Sequence, residues 1–401
     1  MEIRPILASL RKHRIPAVLI VLEIALACAV LCNAVFMIGQ RMASIHWSNA
    51  IDEQGVSVVT VNGADPKLAT SDIPRNLAAL RGIAGVTAAA AATSMPLDQN
   101  PALSPFVARP DAQTTVNTSV YFIGSDGERA MGLRLLQGRW FNTDEYASSG
   151  FKNFSSSGHV ALVTQSDANR LWPGQSALGK ILYSGDTGWT VVGVVADVLA
   201  QDPKFSGPGG MYSSVLYPLQ PDGMMGDYVL RSTPQDRERV VREAVQVLGK
   251  LQPGAVVEGK TYAGMRSDYF ADTNSMVWML VLVCVVMMAV TAFGIVGLTS
   301  FWVQQRRRQI GIRRAVGATR GHILSYFRTE NFLLSTAGVL IGVMLAFGIN
   351  LYLMQHYEMS RLPWYYLPGS AIALWLLGQL AVLGPALRAA AVPPVVATRS
   401  V

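Results

Sequence analysis

Apolar residues are distributed along this chain in two ways. In four stretches they run almost unbroken, and between the first and second stretch they come in short bursts separated by Gly, Pro, Asn and Asp. The unbroken stretches are Ile15 to Ile38, Met276 to Val303, Phe332 to about Met354, and about Pro368 to Leu387. A helix rises about 1.5 Å per residue and the hydrocarbon core of a bilayer is about 30 Å thick, so about 20 apolar residues suffice to cross it. Each stretch therefore predicts a membrane-spanning helix; the fourth is interrupted by Gln379 and Pro385. With 51% hydrophobic and 15% charged residues and a mean hydropathy of +0.30, the 401-residue chain is too apolar for an ordinary soluble protein. The first run is too long for a signal-peptide core, contains Glu23 and is followed by no clean A-x-A-like site, so it reads as a retained anchor.

Between about residues 41 and 275 the period shortens. Gly55 to Asn62, Val86 to Ser94, Val160 to Thr164, Thr190 to Val195, Asp227 to Arg231 and Ala255 to Glu258 read as strands. Ser71 to Arg81, with Ser71 as its N-cap, Ser166 to Leu171 and Pro234 to Leu251 read as helices. In the last of these Val240, Val241, Ala244, Val245 and Leu248 share one face. Two β-α-β units thus flank a middle section. The expectation is one α+β domain of two subdomains, the second inserted at about 127–211.

Charge orients the spans. Arg4, Arg11, Lys12 and Arg14 precede the first, and Arg306, Arg307, Arg308, Arg313, Arg314, Arg320 and Arg328 lie between the second and third with no acidic residue among them. Basic residues beside short loops stay on the cytoplasmic side, so both termini are expected there and the 41–275 region outside. The pI of about 9.4 is largely this topology signal and does not argue for nucleic-acid binding. Cys28, Cys32 and Cys284 all fall within predicted spans, so the external region must fold without disulfides.

Catalytic chemistry finds little support. Trp172 to Ile181, WPGQSALGKI, spaces Gly174, Gly179 and Lys180 like a nucleotide-binding P-loop. Ile181, however, stands where a Mg²⁺-binding hydroxyl is required, and a strand rather than a helix follows. The stretch reads as a turn, with Trp172 and Leu178 anchoring it. The five histidines are scattered, no cysteine cluster accompanies them, and Gly207 to Gly210 reads as a turn, so no catalytic or metal site is expected. Two features inside the spans invite a role. Glu23 lies about 12 Å deep, at the depth of Gln379, which makes a hydrogen bond between them a geometric hypothesis. Gly338 and Gly342 form a GxxxG pattern that permits close helix approach.

Arg306 to Leu334, RRRQIGIRRAVGATRGHILSYFRTENFLL, resembles the cytoplasmic loop of FtsX/MacB-type ABC transporter permeases. LQGRWF, ANRLWPGQSALGK and WTVVGVVADV resemble their periplasmic domain in order, and PALRAAAVPPVVATRS resembles their closing segment. The resemblance implies an inner-membrane subunit with one plus three transmembrane helices, a large two-part periplasmic domain, and no catalysis of its own. MacB carries a fused nucleotide-binding domain, and none is read here. By resemblance, ATP and Mg²⁺ belong to a separate cytoplasmic ABC ATPase, and this chain holds no cofactor.

The resemblance also gives the basic loop a task. Gln305 to Val316 is expected to continue the second helix as a stalk, Gly317 to break it, and Thr319 to cap a short coupling helix from Arg320 toward Arg328. Arg306, Arg307, Arg308, Ile310, Gly311, Ile312, Arg313, Arg314, Gly317, Thr319, Arg320, His322, Ile323 and Phe327 are the residues expected to meet the ATPase. The alternative is that the arginines only fix topology and bind anionic membrane lipids. Gln309 stands before Ile-Gly-Ile where the family often has a glutamate, so the resemblance does not extend to a salt bridge with the ATPase at that position. Further implied partners are a second permease copy or paralogue in a dimer, and a periplasmic adaptor with an outer-membrane duct. Efflux of a periplasmic substrate is the leading function. FtsX-like regulation of a cell-wall hydrolase and Lol-like lipoprotein extraction share the same frame.

Overall fold

A computed structural model of the chain describes residues 14–98, 102–110, 116–148, 159–185, 187–204, 210–221, 223, 225–357 and 361–391. Arg4, Arg11, Lys12 and Gly207, which entered the sequence reading, lie outside them. The chain divides into two compact units, Met1–His46 with Asp272–Val401, and Trp47–Ala271.

The first unit is helical. Among the described residues four helices are long and apolar enough to cross a membrane: α1 (Arg14–Ile45), α8 (Ala271–Gln305), α10 (Arg320–Tyr357) and α11 (Tyr366–Ala390), with the short α9 (Arg307–Ala315) between α8 and α10. The elements between α1 and α8 belong to the second unit. α1 and α10 pack in parallel through small residues. A Cβ on Gly338 would fall 2.8 Å from the Ile24 side chain, and one on Gly342 would collide with Cβ of Cys28 and approach the Ala25 carbonyl to 2.7 Å. One turn further along, Asn33 donates to the Ala346 carbonyl at 3.3 Å. The GxxxG pattern is thus filled inside the subunit, by the first helix. α11 returns antiparallel to α10. Their connection is closed where the Leu362 amide donates to Oδ1 of the buried Asn350, at 2.8 Å.

Among the described residues the second unit is built on one eleven-stranded sheet. Its strands are β1 (Val56–Asn62), β2 (Val86–Ala92), β3 (Leu103–Phe106), β4 (Val116–Ile123), β5 (Leu135–Gly138), β6 (His159–Thr164), β7 (Ile181–Ser184), β8 (Thr187–Val195), β9 (Ser214–Pro218), β10 (Asp227–Ser232) and β11 (Val256–Thr261). They lie in the order β11-β1-β10-β2-β4-β9-β6-β8-β5, with β3 beside β4 and β7 beside β8. The helices are α2 (Ala69–Arg81), α3 (Gly127–Met131), α4 (Thr143–Ser148), α5 (Gln165–Leu171), α6 (Arg237–Leu251) and α7 (Tyr262–Tyr269).

Strands from the two ends of the segment make one half of the sheet, β11-β1-β10-β2, all antiparallel. The other half, β3 to β9, joins it at a narrow seam where Ala92 of β2 pairs with Ile123 of β4. The expected insertion at about 127–211 falls within this second half, which begins earlier, at β3. Its core is aromatic: Trp189 and Tyr217 have ring centroids 5.3 Å apart, and Phe106 and Phe122 pack on them at 5.8 and 5.7 Å. Ser71 is not the cap of α2; it lies inside the first turn and donates to the Leu68 carbonyl, while Asp65 caps the 3₁₀ turn that precedes it. The P-loop-like stretch is a turn: Gly174 and Gly179 have φ of +69° and +74°, Trp172 is buried, and Lys180 donates to Gln175 at 3.0 Å. Leu178 is more exposed than an anchor would be, yet it covers Gly138 across the sheet edge.

Among the carboxyls enclosed in this unit, two are pushed furthest from their ordinary range. Asp167, on α5, accepts from the Ser213 hydroxyl at 2.5 Å, and burial raises its pKa from 3.8 to about 7. Asp227 accepts from Thr60 at 2.6 Å, and burial raises it to about 6. In the unfolded chain both ionise near pH 3.8, so between that pH and about 7 the folded state holds more protons than the unfolded state. Stability contributed by these groups is complete below about pH 4 and is lost as pH rises through 6 and 7. Thermal unfolding of the Trp47–Ala271 unit is expected to show a higher midpoint at pH 5 than at pH 8, corresponding to a stability difference on the order of 4 kcal/mol, with the difference reduced in Asp167→Asn. In the helical unit, Gly342→Leu is expected to lower the yield of folded protein in detergent. Gly348→Leu, at a glycine with open space around it, is expected to leave that yield unchanged.

Candidate functional site

The basic segment between α8 and α10 is shaped by one ion pair. Nη1 of Arg306 lies 3.1 Å from a carboxylate oxygen of Glu330, and the two side chains are only 7% and 2% exposed. The guanidinium also stands over the Trp302 ring, 5.2 Å from its centroid. Drawing Arg306 inward gives its backbone φ −97° and ψ 7°, and this ends α8 at Gln305. The chain restarts as α9, Arg307–Ala315. The expected stalk running unbroken from Gln305 to Val316 is therefore corrected: the break comes at Arg306, with a second at Gly317.

The second break is a Schellman motif. Gly317 takes φ +104°, its amide donates to the Arg314 carbonyl at 3.1 Å, and the next amide, of Ala318, donates to Arg313 at 3.0 Å. Thr319 Oγ1 then accepts from the His322 amide at 3.2 Å and starts α10. α10 does not stop near Arg328 as the short coupling helix was expected to. It continues for 38 residues, because nothing between Arg328 and the apolar run breaks it.

This elbow sorts the anticipated contact residues into two sets. Arg306, Ile310, Gly311, Ile323 and Phe327 are buried, and the three apolar side chains among them belong to the core of the helical unit. They hold the elbow and are closed to a partner. Arg307, Arg308, Ile312, Arg313, Gly317, Thr319, Arg320 and His322 are exposed, and Arg314 is half-buried. Val316, at the tip, is 84% exposed. Arg313 lies 5.1 Å from the centroid of the Tyr326 ring, tying the outer face of α9 to α10. The result is an apolar tip of Ile312 and Val316 among guanidinium groups.

Sequence reasoning missed Glu330. It stands two residues beyond the last loop arginine, and the signal was the polar run Glu330, Asn331 and Ser335 entering an otherwise apolar helix. All three are buried, and α11 approaches them at Gly378, where a Cβ would fall 2.9 Å from the Ser335 hydroxyl and 3.2 Å from Nδ2 of Asn331.

The proposed bond between Glu23 and Gln379 is absent. Gln379 donates to the Arg328 carbonyl at 3.4 Å, whereas the Glu23 carboxylate fills the space a side chain would take at Gly294 of α8. Equal depth is not equal direction: the residues of α1 that pack on α10 are Ile24 and Cys28, and position 23 is turned about 100° away, toward α8. Among the described residues no group of three or more His, Cys, Asp or Glu side chains could hold a metal ion.

The sequence profile of the MacB-like periplasmic core domain matches residues 19–259, and that of the FtsX-like permease C-terminal region matches 281–394. A macrolide export ATP-binding/permease protein MacB from Chromobacterium violaceum is 28% identical over 295 residues, 70% of this chain and 43% of the relative. Its counterpart from Marinobacter nauticus is 29% identical over 280 residues, 66% of this chain and 41% of the relative. The chain thus spans less than half the length of these relatives. Among solved structures, the periplasmic region of MacB from Actinobacillus actinomycetemcomitans aligns with a TM-score of 0.37 at 14% identity, covering 55% of this chain and 94% of that one. The extracellular domain of the ABC-type transporter YknZ from Gram-positive bacteria aligns at 0.34 and 16%, covering 51% and 99%.

Removing one partner from a buried ion pair leaves the other charge uncompensated. Arg306→Gln is expected to destabilise the helical unit by about 3–5 kcal/mol. Nη2 of Arg306 already lacks a hydrogen-bond partner among the described residues, so the pair is incompletely satisfied. The double variant Arg306→Met/Glu330→Met is accordingly expected to recover to within about 1 kcal/mol of the parent. Arg308→Gln, on the exposed face, is expected to change stability by no more than about 0.5 kcal/mol. Denaturant titration of the full chain in mixed micelles reads all three.

Proposed function

Since this chain belongs to the FtsX/MacB-type permease family, the one defined by the MacB-like periplasmic core domain, we propose that it couples a separate cytoplasmic ABC ATPase to work on a periplasmic substrate. The observation that carries the proposal is the exposed tip at Ile312 and Val316 with its surrounding arginines, held by an elbow whose own core is closed. An apolar centre within a cationic rim fits a cleft with an apolar floor and an acidic border. On this reading both termini are cytoplasmic, two copies or a copy and a paralogue face each other, and ATP with Mg²⁺ is bound by the partner. Movement of the ATPase turns α9 and the start of α10 as one body, because Arg306 and Glu330 join the end of α8 to α10. Efflux through an adaptor and an outer-membrane duct is the leading outcome of that work.

Cross-linked complexes purified from native membranes test the assignment. An ABC ATPase with an adaptor and duct is the expected company. A cell-wall hydrolase in their place would move the chain to a regulatory role, and bound lipoproteins would indicate extraction. The double variant Arg308→Glu/Val316→Asp is expected to reduce ATPase recovery by about tenfold or more while the chain still reaches the membrane folded. Unchanged recovery would remove the tip as the docking surface.

A further inference from the structure

A groove separates the first turns of α10 from the last turns of α11. It encloses about 450 Å³, and Leu324, Ser325, Arg328, Thr329, Phe332 and Gln379 line it. The two helices run antiparallel, so matched positions define levels. Gln379 meets the Arg328 backbone at one level, through the 3.4 Å hydrogen bond. Four residues deeper on each helix, or about 6 Å toward the membrane centre, the Phe332 ring stacks on Trp375 with centroids 6.0 Å apart and planes 20° from parallel. Arg328 precedes the apolar run that begins at Phe332, so the level it shares with Gln379 lies at the membrane boundary, and Gln379 is shallower than the depth of about 12 Å that its place in the fourth apolar run suggested. The groove is charged and polar there and aromatic one turn further in.

Arg328 supplies the charge. It is exposed, and among the described residues it has no carboxylate partner, since the nearby Glu330 is buried and committed to Arg306. Phe332 is 47% exposed, so the aromatic wall faces out of the helix pair.

We propose that this groove holds one anionic phospholipid of the cytoplasmic leaflet, its phosphate at Arg328 and Gln379 and an acyl chain along Phe332 and Trp375. Basic pockets between membrane helices on the cytoplasmic side suit such headgroups. The order of polarity selects a lipid over a free phosphate, which has no use for the aromatic wall. Position also selects against the ATPase: Arg328 lies nine residues along α10 from Thr319, about 13 Å from the tip toward the bilayer. The inference goes beyond the permease assignment and holds whichever ATPase the chain serves.

Native mass spectrometry of the full chain in neutral detergent tests it, after incubation with phosphatidylglycerol and phosphatidylethanolamine of identical acyl chains. The parent is expected to retain phosphatidylglycerol preferentially, by about fivefold for one basic contact. Arg328→Gln is expected to lose that preference, and Arg328→Lys to restore most of it. Phe332→Ala is expected to weaken retention of both lipids. Arg361→Gln, in the connection between α10 and α11 at the other end of the spans, is expected to change nothing. The proposal is overturned by a parent without preference, by equal losses in Arg328→Gln and Arg361→Gln, or by inorganic phosphate displacing the lipid as well as phosphatidylglycerol does. It is also overturned if Arg328→Gln lowers ATPase recovery while leaving lipid retention intact, which would assign the groove to a protein partner.

Discussion

A guanidinium and a carboxylate withheld from water set the geometry of the helical unit. Each ion would cost several kcal/mol to bury alone, so Arg306 and Glu330 tolerate burial only together and only at close range. That requirement fixes the end of α8 against α10, and the backbone yields by breaking the helix at Arg306. Everything beyond the break follows from it. Ile310 packs in one core with Ile323 and Phe327, and Arg307, Arg308, Arg313 and Arg320 are left outside. Asn331 and Ser335 extend the buried polar run, and Gly378 lets α11 come close enough to cover it.

The other helix contacts rest on shape. α1 and α10 meet where Gly338 and Gly342 leave room for Ile24 and Cys28, a contact held by dispersion and by the absence of side chains. The two mechanisms divide the molecule. Packing joins helices within the hydrocarbon, where water cannot compete for an apolar surface in any case, while charge acts near the boundary, where a guanidinium left outside has water or headgroups available. The Trp47–Ala271 unit carries its ion pairs nearer the surface, as between Arg266 and Glu53. Without cysteines, it relies on the continuity of its sheet and on the aromatic cluster around Trp189 and Tyr217.

Much of this architecture could be read from residue patterns. The four spans were legible because hydrocarbon thickness imposes a length, and the strands at both ends of the external region because apolar residues cluster between turn formers. β3, β4, β5, β7 and β9 escaped notice. β4, VNTSVYFI, buries Thr118 and Ser119 beside its apolar residues, so its alternation is masked by polar side chains that find partners in the fold. The elbow was located but misdrawn. Gly317 and Thr319 announce their roles through local backbone chemistry. The break at Arg306 depends on a residue 24 positions away, and no local pattern encodes that. For the same reason the sequence counted Arg306 with the exposed arginines, although its charge is spent inside. Gln379 and Glu23 show the converse limit, since depth along a helix is readable and the direction of a side chain around it is not.

The pairing of β1 with β11 has a mechanical side. Ser57, at the start of β1, is directly opposite Thr261, at the end of β11, so the strand that enters the external unit and the strand that leaves it begin and finish side by side. A displacement delivered equally through both connections leaves their ladder unstrained and carries the unit as a whole. A difference between the two pulls opens that ladder from its end, one hydrogen bond at a time, which is the direction in which a sheet is weakest. The topology thus resists a load shared by the two strands and yields first to a load that differs between them.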